Sequence, residues 1–182
     1  MKQVLFLFII AGMASCNSGD KTTTTDTQVK SATTTEEPKM DYAYTIEHPD
    51  NWVTGPKENT KMVLQSLKDF ENGDVDKSLT AFADSVELRF NEMEGKFSKD
   101  SIASMFKRER SGLKAMQINM HDFESVKSKD GKEEYVSLWY TQKWQDQKGV
   151  WDSISVMDDM RIQNGKIALL DEKTRKFAKK KM

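Results

Sequence analysis

Residues 71–90 read Glu71-Asn72-Gly73-Asp74-Val75-Asp76-Lys77-Ser78-Leu79-Thr80-Ala81-Phe82-Ala83-Asp84-Ser85-Val86-Glu87-Leu88-Arg89-Phe90, and the period of the apolar side chains changes within them. Just upstream, from about Asn59, Val63, Leu67 and Phe70 recur at helical spacing, and Gly73 stands where a left-handed residue ends a helix. Asp74 is placed to cap a second, shorter helix whose face is Val75, Leu79 and Phe82. Val86, Leu88 and Phe90 then alternate with Glu87 and Arg89, the signature of a strand with one buried face. Helix, short helix and strand therefore succeed one another across this stretch.

Working outward toward the C-terminus, a turn is expected near Gly95, after which Ser98 caps a third helix burying Ile102, Met105, Phe106 and Leu113. From Met116 the pattern is an antiparallel meander, with strands over 116–126, 135–144 and 150–162 and a last strand from Ile167. Asp130-Gly131, residues 147–149 and Asn164-Gly165 supply the turns. Helices come mostly before strands. That order predicts an α+β domain, three helices from the N-terminal half lying on one face of a strongly curved, mainly antiparallel sheet. The 143 residues after Lys39 suit one domain with a single core, and no internal repeat is visible.

Toward the N-terminus, residues 40–56 form an extension to the domain at 57–177. Tyr42, Tyr44 and Ile46 alternate there with smaller residues, and a turn at His48-Pro49-Asp50-Asn51 precedes Trp52, so this is a flap or an added strand. Residues 1–15 have the three parts of an export signal: Lys2, the apolar run Val4 to Ile10, and small residues. The run is too short for a membrane span, which needs roughly 20 apolar residues. Met13-Ala14-Ser15-Cys16 resembles a lipobox, with Met13 where leucine is commonest. The resemblance implies cleavage before Cys16 and its lipidation, and hence a lipoprotein anchored in the bacterial cell envelope. The outer membrane, on its periplasmic or surface face, is the expected address. Cys16 is the only cysteine, so it has no internal disulfide partner. The alternative is a soluble secreted protein with a lone thiol. At roughly 0.8 kcal/mol per buried methylene, two or three acyl chains hold a protein far more firmly than one myristoyl group.

Between Cys16 and Lys39 the chain is rich in Thr, Ser, Lys, Asp and Glu, a composition that cannot bury enough surface to offset its ordering entropy. It reads as a tether. Asp20, close behind the cysteine, is similar to the acidic surface-export signals of some lipoproteins. Removing residues 1–15 takes away Lys2 and no acid, so 28 basic against 29 acidic side chains become a net charge of about −2. That balance speaks against nucleic-acid binding, which needs a basic face. Lys173, Arg175, Lys176, Lys179, Lys180 and Lys181 crowd the end of the chain, ahead of and within a basic tail at 178–182. They are read as a solvated terminus or as a weak membrane attractant.

The run Glu71-Asn72-Gly73-Asp74-Val75-Asp76, then Ala81-Phe82-Ala83-Asp84 leading into a strand, and the closing Met160-Arg161-Ile162-Gln163-Asn164-Gly165-Lys166-Ile167 hairpin resemble the SnoaL-like, or nuclear transport factor 2-like (NTF2-like), domains. The resemblance covers about residues 57 to 177. It implies a cone-like α+β fold around an apolar pocket, often in a homodimer, in a group of isomerases, dehydratases, cyclases and binding proteins, so function must be argued from the site.

Ketosteroid isomerases of that group use an aspartate base on the first strand, with a tyrosine of the first helix and a protonated late-strand aspartate as oxyanion donors. Laid over this chain, the tyrosine falls on Ser66, the base on Phe90 and the second aspartate on Asp158. Phenylalanine accepts no proton and serine is a shorter donor, which argues against isomerase chemistry of that type. Asp158 shares its alternation with Ile154, Val156, Met160 and Ile162 and so points to the buried face, where a carboxyl has a raised pKa. The competing reading is a bulge at Asp158 and Asp159 that turns both to solvent, or a structural hydrogen bond. Related cyclases pair an aspartate with a histidine, but the strand over 135–144 holds none. His121 has the solvent-facing parity, and His48 lies ahead of the domain. Two distant histidines and an acylated cysteine make no metal site, and no cofactor is expected.

With Val136, Leu138 and Tyr140 inward, Tyr135, Trp139, Trp151 and Met157 form an outer apolar patch, fitting either a homodimer through the sheet or cover by the N-terminal extension. Lys107, Arg108, Arg110 and Lys114 read as solvated charge near a helix C-terminus. These residues support three functions. The first is a membrane-anchored module holding a small apolar ligand in a pocket of Ser66, Phe90, Tyr140, Val156 and Asp158, without catalysis. The second is a cofactor-free isomerase, dehydratase or cyclase-like enzyme using Asp158. The third is an envelope interaction domain with a vestigial pocket. The first is preferred, because no acid and base pair is apparent among the residues expected to line the pocket.

Overall fold

The computed structural model describes residues 41–47, 51–90 and 93–178. The export signal, Cys16, the tether, His48 and the lysines at 179–181 lie outside the described residues. The chain divides into Met1–Tyr44 and Thr45–Met182, and every helix and strand among the described residues belongs to the second unit. Residues 41–47 carry no strand, so the alternation of Tyr42, Tyr44 and Ile46 does not become one; the extension instead contributes β1, Trp52–Thr54.

The stretch from Asn59 to Phe90 folds as its periods dictate. Helix α1 spans Lys57–Glu71 and stops at Gly73, whose φ of +89° suits a residue without Cβ. The amides of Gly73 and Asp74 donate to the carbonyls of Phe70 and Asp69, closing the last turn as a Schellman motif. The Asp74 side chain accepts from the Lys77 amide and starts α2, Val75–Ser78, which runs into a 3-10 turn over Leu79–Ala81. Phe82, expected on the helix face, is instead the first residue of β2, Phe82–Phe90.

Gly95 is not in a turn. It sits inside β3, Met93–Ser98, opposite Leu88 of β2. Ser98 caps α3, Lys99–Ser111, by accepting from the Ser101 amide. Ile102 and Phe106 are buried, whereas Leu113 already opens β4, Leu113–Ser128. Strands β5 (Glu134–Asp146), β6 (Trp151–Gln163) and β7 (Lys166–Lys176) complete the meander. The β6–β7 hairpin turns at Asn164-Gly165 with φ of +52° and +68°, the geometry that fits the right-handed twist of paired strands.

One seven-stranded sheet results, in the order β1-β4-β5-β6-β7-β2-β3. Every pairing is antiparallel except β2 with β7, which run parallel and bring the last strand beside the first half of the domain. The core lies between the helices and the inner face, with Val63, Val86, Leu88, Ile102, Val136, Leu138 and Ile167 fully buried. Each contributes on the order of 1.5–3 kcal/mol by leaving water. Phe106 of α3 sits edge-on to Phe70 and Phe82 at centroid distances of 5.5 and 6.0 Å, joining α1, α3 and β2 through aromatic contact.

Arg110 is not merely solvated. Its guanidinium donates to the carbonyls of Phe70, Glu71 and Leu113 at 3.1–3.2 Å, tying the end of α1 to the start of β4. Lys107 pairs with Asp76 at 2.6 Å, while Arg108 and Lys114 remain exposed. Among the described residues no helix is long and apolar enough to cross a membrane.

Candidate functional site

Between α1, α3 and the inner face of the sheet a cavity of about 270 Å3 remains unfilled. Phe70, Phe82, Phe90 and Phe106 form an aromatic wall, and Leu67, Met160 and Leu170 extend it. The polar side chains that reach it are Ser78, Gln142, Tyr140, Asp158, Glu172 and Glu109. The volume falls just below the roughly 300–1,000 Å3 usual for ligand sites, so an occupant would be small.

Strand alternation puts Asp158 there. Across β5 and β6 it stands opposite Leu138 with the register unbroken from Ile154 to Met160, so the bulge envisaged at Asp158 and Asp159 does not form. Asp158 is 2% exposed. Asp159 faces the other way, accepting from the Ser137 hydroxyl and pairing with Lys173. The Tyr140 hydroxyl donates to Asp158 Oδ2 at 2.9 Å, and Asp158 Oδ1 is buried with no partner.

Across β6 and β7, Asp158 stands opposite Glu172, and residues so paired bring their Cβ atoms to about 4.5–5.5 Å. Glu109 of α3 approaches from the helix side and keeps one side open to solvent. Burial drives Asp158 well above the ordinary carboxylate range, the charge of Glu172 adds to this, and the Tyr140 hydrogen bond opposes it. Burial, then the charge of Glu109, lifts Glu172 to about 7. Burial raises Glu109 as well, and burial together with Asp158 pushes Tyr140 upward. Burial thus favours the protonated form of Asp158. Oδ2 accepts from Tyr140, and Oδ1 is the oxygen left without a partner.

The other expected pocket residues divide. Phe90 and Tyr140 line the cavity with Asp158. Ser66 does not, because its hydroxyl is turned to the Ser78 carbonyl at 2.9 Å and joins α1 to α2. Val156 does not either; it is buried in the core opposite Tyr140. Glu109, Glu172 and Gln142 are not among the residues expected from the sequence, and the first two give the pocket three carboxyls where one was expected. Glu109 comes after Ile102 and Phe106 at helical spacing, and Gln142 continues the alternation of Leu138 and Tyr140, so both carry a periodic signal. Glu172 carries none. An irregularity between Arg161 and Ile162 makes Ile167 and Leu170, three apart, both face the core, so simple alternation from Ile167 points Glu172 outward.

His121 is exposed beside a register shift in β4, in contact with the Thr141 hydroxyl at 3.0 Å. Among the described residues no group of three or more His, Cys, Asp or Glu side chains is arranged to hold a metal ion. On the outer face, Tyr135 meets the edge of Trp52 from β1 at 5.8 Å, Trp139 stands opposite Met157, and Trp151 is exposed. A shallower groove between α1 and Phe123 is open to solvent and lined by Lys57, Lys61 and Leu64.

Comparison with solved structures recognises this arrangement of helices on a curved sheet. The fold is NTF2-like. An NTF2-like protein of unknown function from Burkholderia pseudomallei superposes with a TM-score of 0.54 at 15% identity, covering 65% of this chain and 91% of that one. AusH from Aspergillus nidulans gives 0.55 at 17% identity, covering 68% and 87%. An LEH-like epoxide hydrolase from M. tuberculosis gives 0.52 at 17% identity, covering 65% and 84%. No family model and no curated protein sequence matches the chain. Such low identities show the fold alone and carry no chemistry across.

Proposed function

We propose that the NTF2-like domain binds a small, largely apolar molecule whose one polar group meets Asp158. The observation that carries this is Asp158: it lines an aromatic cavity that side chains leave open, and its Oδ1 is buried without a partner. An unmet buried polar group costs about 1–3 kcal/mol, and a bound ligand removes that cost. The open volume favours this reading over a vestigial pocket. The test is to titrate the protein with cyclohexanone and follow the methyl resonance of Met160. Saturable shifts that vanish when Leu67→Phe narrows the cavity are expected, and unchanged Met160 resonances would refute binding.

A second reading, a cofactor-free enzyme, is favoured by one feature. Glu172, lifted to about 7, is able to accept a proton at neutral pH beside Asp158, whose protonated form burial favours. The pair would act as base and acid for proton abstraction next to a carbonyl. Exchange of solvent deuterium into cyclohexanone, accelerated by the protein and lost in Glu172→Gln, is the matching assay.

We further propose that Cys16 carries lipid and holds this domain at the cell envelope, and that Trp139, Met157 and Trp151 mediate self-association through the outer face. What supports the latter is an outer face on which Trp139 stands opposite Met157 and Trp151 is exposed. Sedimentation of the protein without its lipid as a dimer, weakened by Trp139→Lys, is the expected outcome.

A further inference from the structure

We propose that the cavity is selective for an organic ammonium ion, a small amine whose cationic head sits between Asp158 and Glu172 and whose apolar body lies against Phe70, Phe90 and Phe106. The inference rests on the reading of the cavity as a ligand site and names its ligand class.

Three observations carry it. Carboxyls from three separate elements converge on one cavity: Asp158 from β6, Glu172 from β7 and Glu109 from α3. No Lys, Arg or His lines that cavity, and neither Glu109 nor Glu172 has an ion pair or side-chain hydrogen bond among the described residues. The protein therefore gathers acids and supplies no counter-charge of its own. Independently, Asp158, which lines the cavity and is 2% exposed, has its Oδ1 buried and unpartnered. The remaining wall is aromatic, and phenylalanine faces attract a desolvated cation by roughly 0.5–2 kcal/mol each. A neutral apolar ligand would use the rings and leave the acids unexplained.

Charge balance gives the binding a signature. An ammonium ion arriving from solution near pH 7 meets Glu172, a carboxyl lifted to about 7 and so about half protonated there; the site releases that proton to water, and the carboxylate and ammonium remain as an ion pair. Affinity should then rise with pH through neutrality until the amine itself loses its proton. The groups facing this pair are Tyr140 from β5, Glu109 from α3 and the amide of Gln142, while α1 and β2 present only Leu67, Phe70, Phe82 and Phe90. Asp159 and Lys173, on the opposite face of the sheet, act on Asp158 in opposite senses.

The test compares benzylamine with benzyl alcohol, of equal size, by calorimetry on the full chain. Benzylamine is expected to bind at least about tenfold more tightly near pH 7.5, as a charge-assisted contact in a dry site requires. It should release a proton, seen as a heat that depends on the ionisation enthalpy of the buffer, and should bind more tightly near pH 8 than near pH 6. Both Asp158→Asn and Glu172→Gln should bring the preference for the amine close to unity. Equal binding of the two probes, or amine binding without proton release, overturns the amine assignment while leaving the cavity a ligand site. Failure of both probes, with Met160 unshifted by cyclohexanone, overturns the ligand site as well.

Discussion

Asp158 and Glu172 are direct cross-strand partners, two carboxyls on the inner side of the sheet with no basic side chain among the described residues that line the cavity they share. Like charges so placed destabilise a sheet, and here they do so inside a partly dry cavity. Burial favours the protonated form of each and so weakens that repulsion.

That arrangement sets a pH dependence. Glu172 has an ordinary pKa of 4.5 and is lifted to about 7 in the folded chain. Between those values the folded state binds a proton that the unfolded state has released, so stability falls as pH rises through the window and levels off above it. Asp158 acts in the same sense from 3.8 upward. Asp69 and Asp130 are held below their ordinary range by Lys77 and by Ser128 with Lys132 respectively, and their contribution is lost as pH falls below 3.8. Stability from urea unfolding should therefore peak near pH 4, fall toward pH 8 by on the order of 3 kcal/mol or more, and lose part of that slope in Glu172→Gln.

Asp158→Asn should stabilise the protein. The amide keeps an oxygen to accept from Tyr140 and brings no charge that must be neutralised on folding. An increase of about 1–3 kcal/mol near pH 8, measured by denaturant unfolding, is the expected size. A loss of stability would show that the carboxyl serves the fold rather than a ligand.

Arg110→Ala should destabilise the chain without touching the cavity. Its guanidinium serves three backbone carbonyls where α1 ends and β4 begins, and bonds to a charged group are each worth roughly 1.5–3 kcal/mol. A loss of about 2–4 kcal/mol is expected, since water reaches this edge and replaces part of what is removed. Arg108→Ala, at an exposed neighbouring position, should change stability by less than about 0.5 kcal/mol.

For the anchor, Cys16→Ser should move the protein from the membrane fraction to the soluble one, because it removes the acyl chains that hold it. Unchanged fractionation would refute lipidation at this cysteine.

The local grammar of this chain is sufficient for its elements. Gly73 ends α1, Asp74 and Ser98 start helices, Asn164-Gly165 turns a hairpin, and Val86, Leu88 and Phe90 alternate, all through interactions within a few residues. Asp158 was legible for the same reason, since alternation along one strand fixes which face a side chain takes. What alternation does not contain is the identity of neighbours on other strands. Glu172 reached the cavity because β7 slips register between Arg161 and Ile162 and runs parallel to β2. Glu109 reached it because α3 packs Phe106 against Phe70 and Phe82. Ser66 left it because Ser78 offered a nearer acceptor. The sequence by itself determined the elements, their order and one inward acid. Only the tertiary structure decided that the acid has company, because charge coupling depends on distances between strands and helices far apart in sequence, and those distances are set by packing.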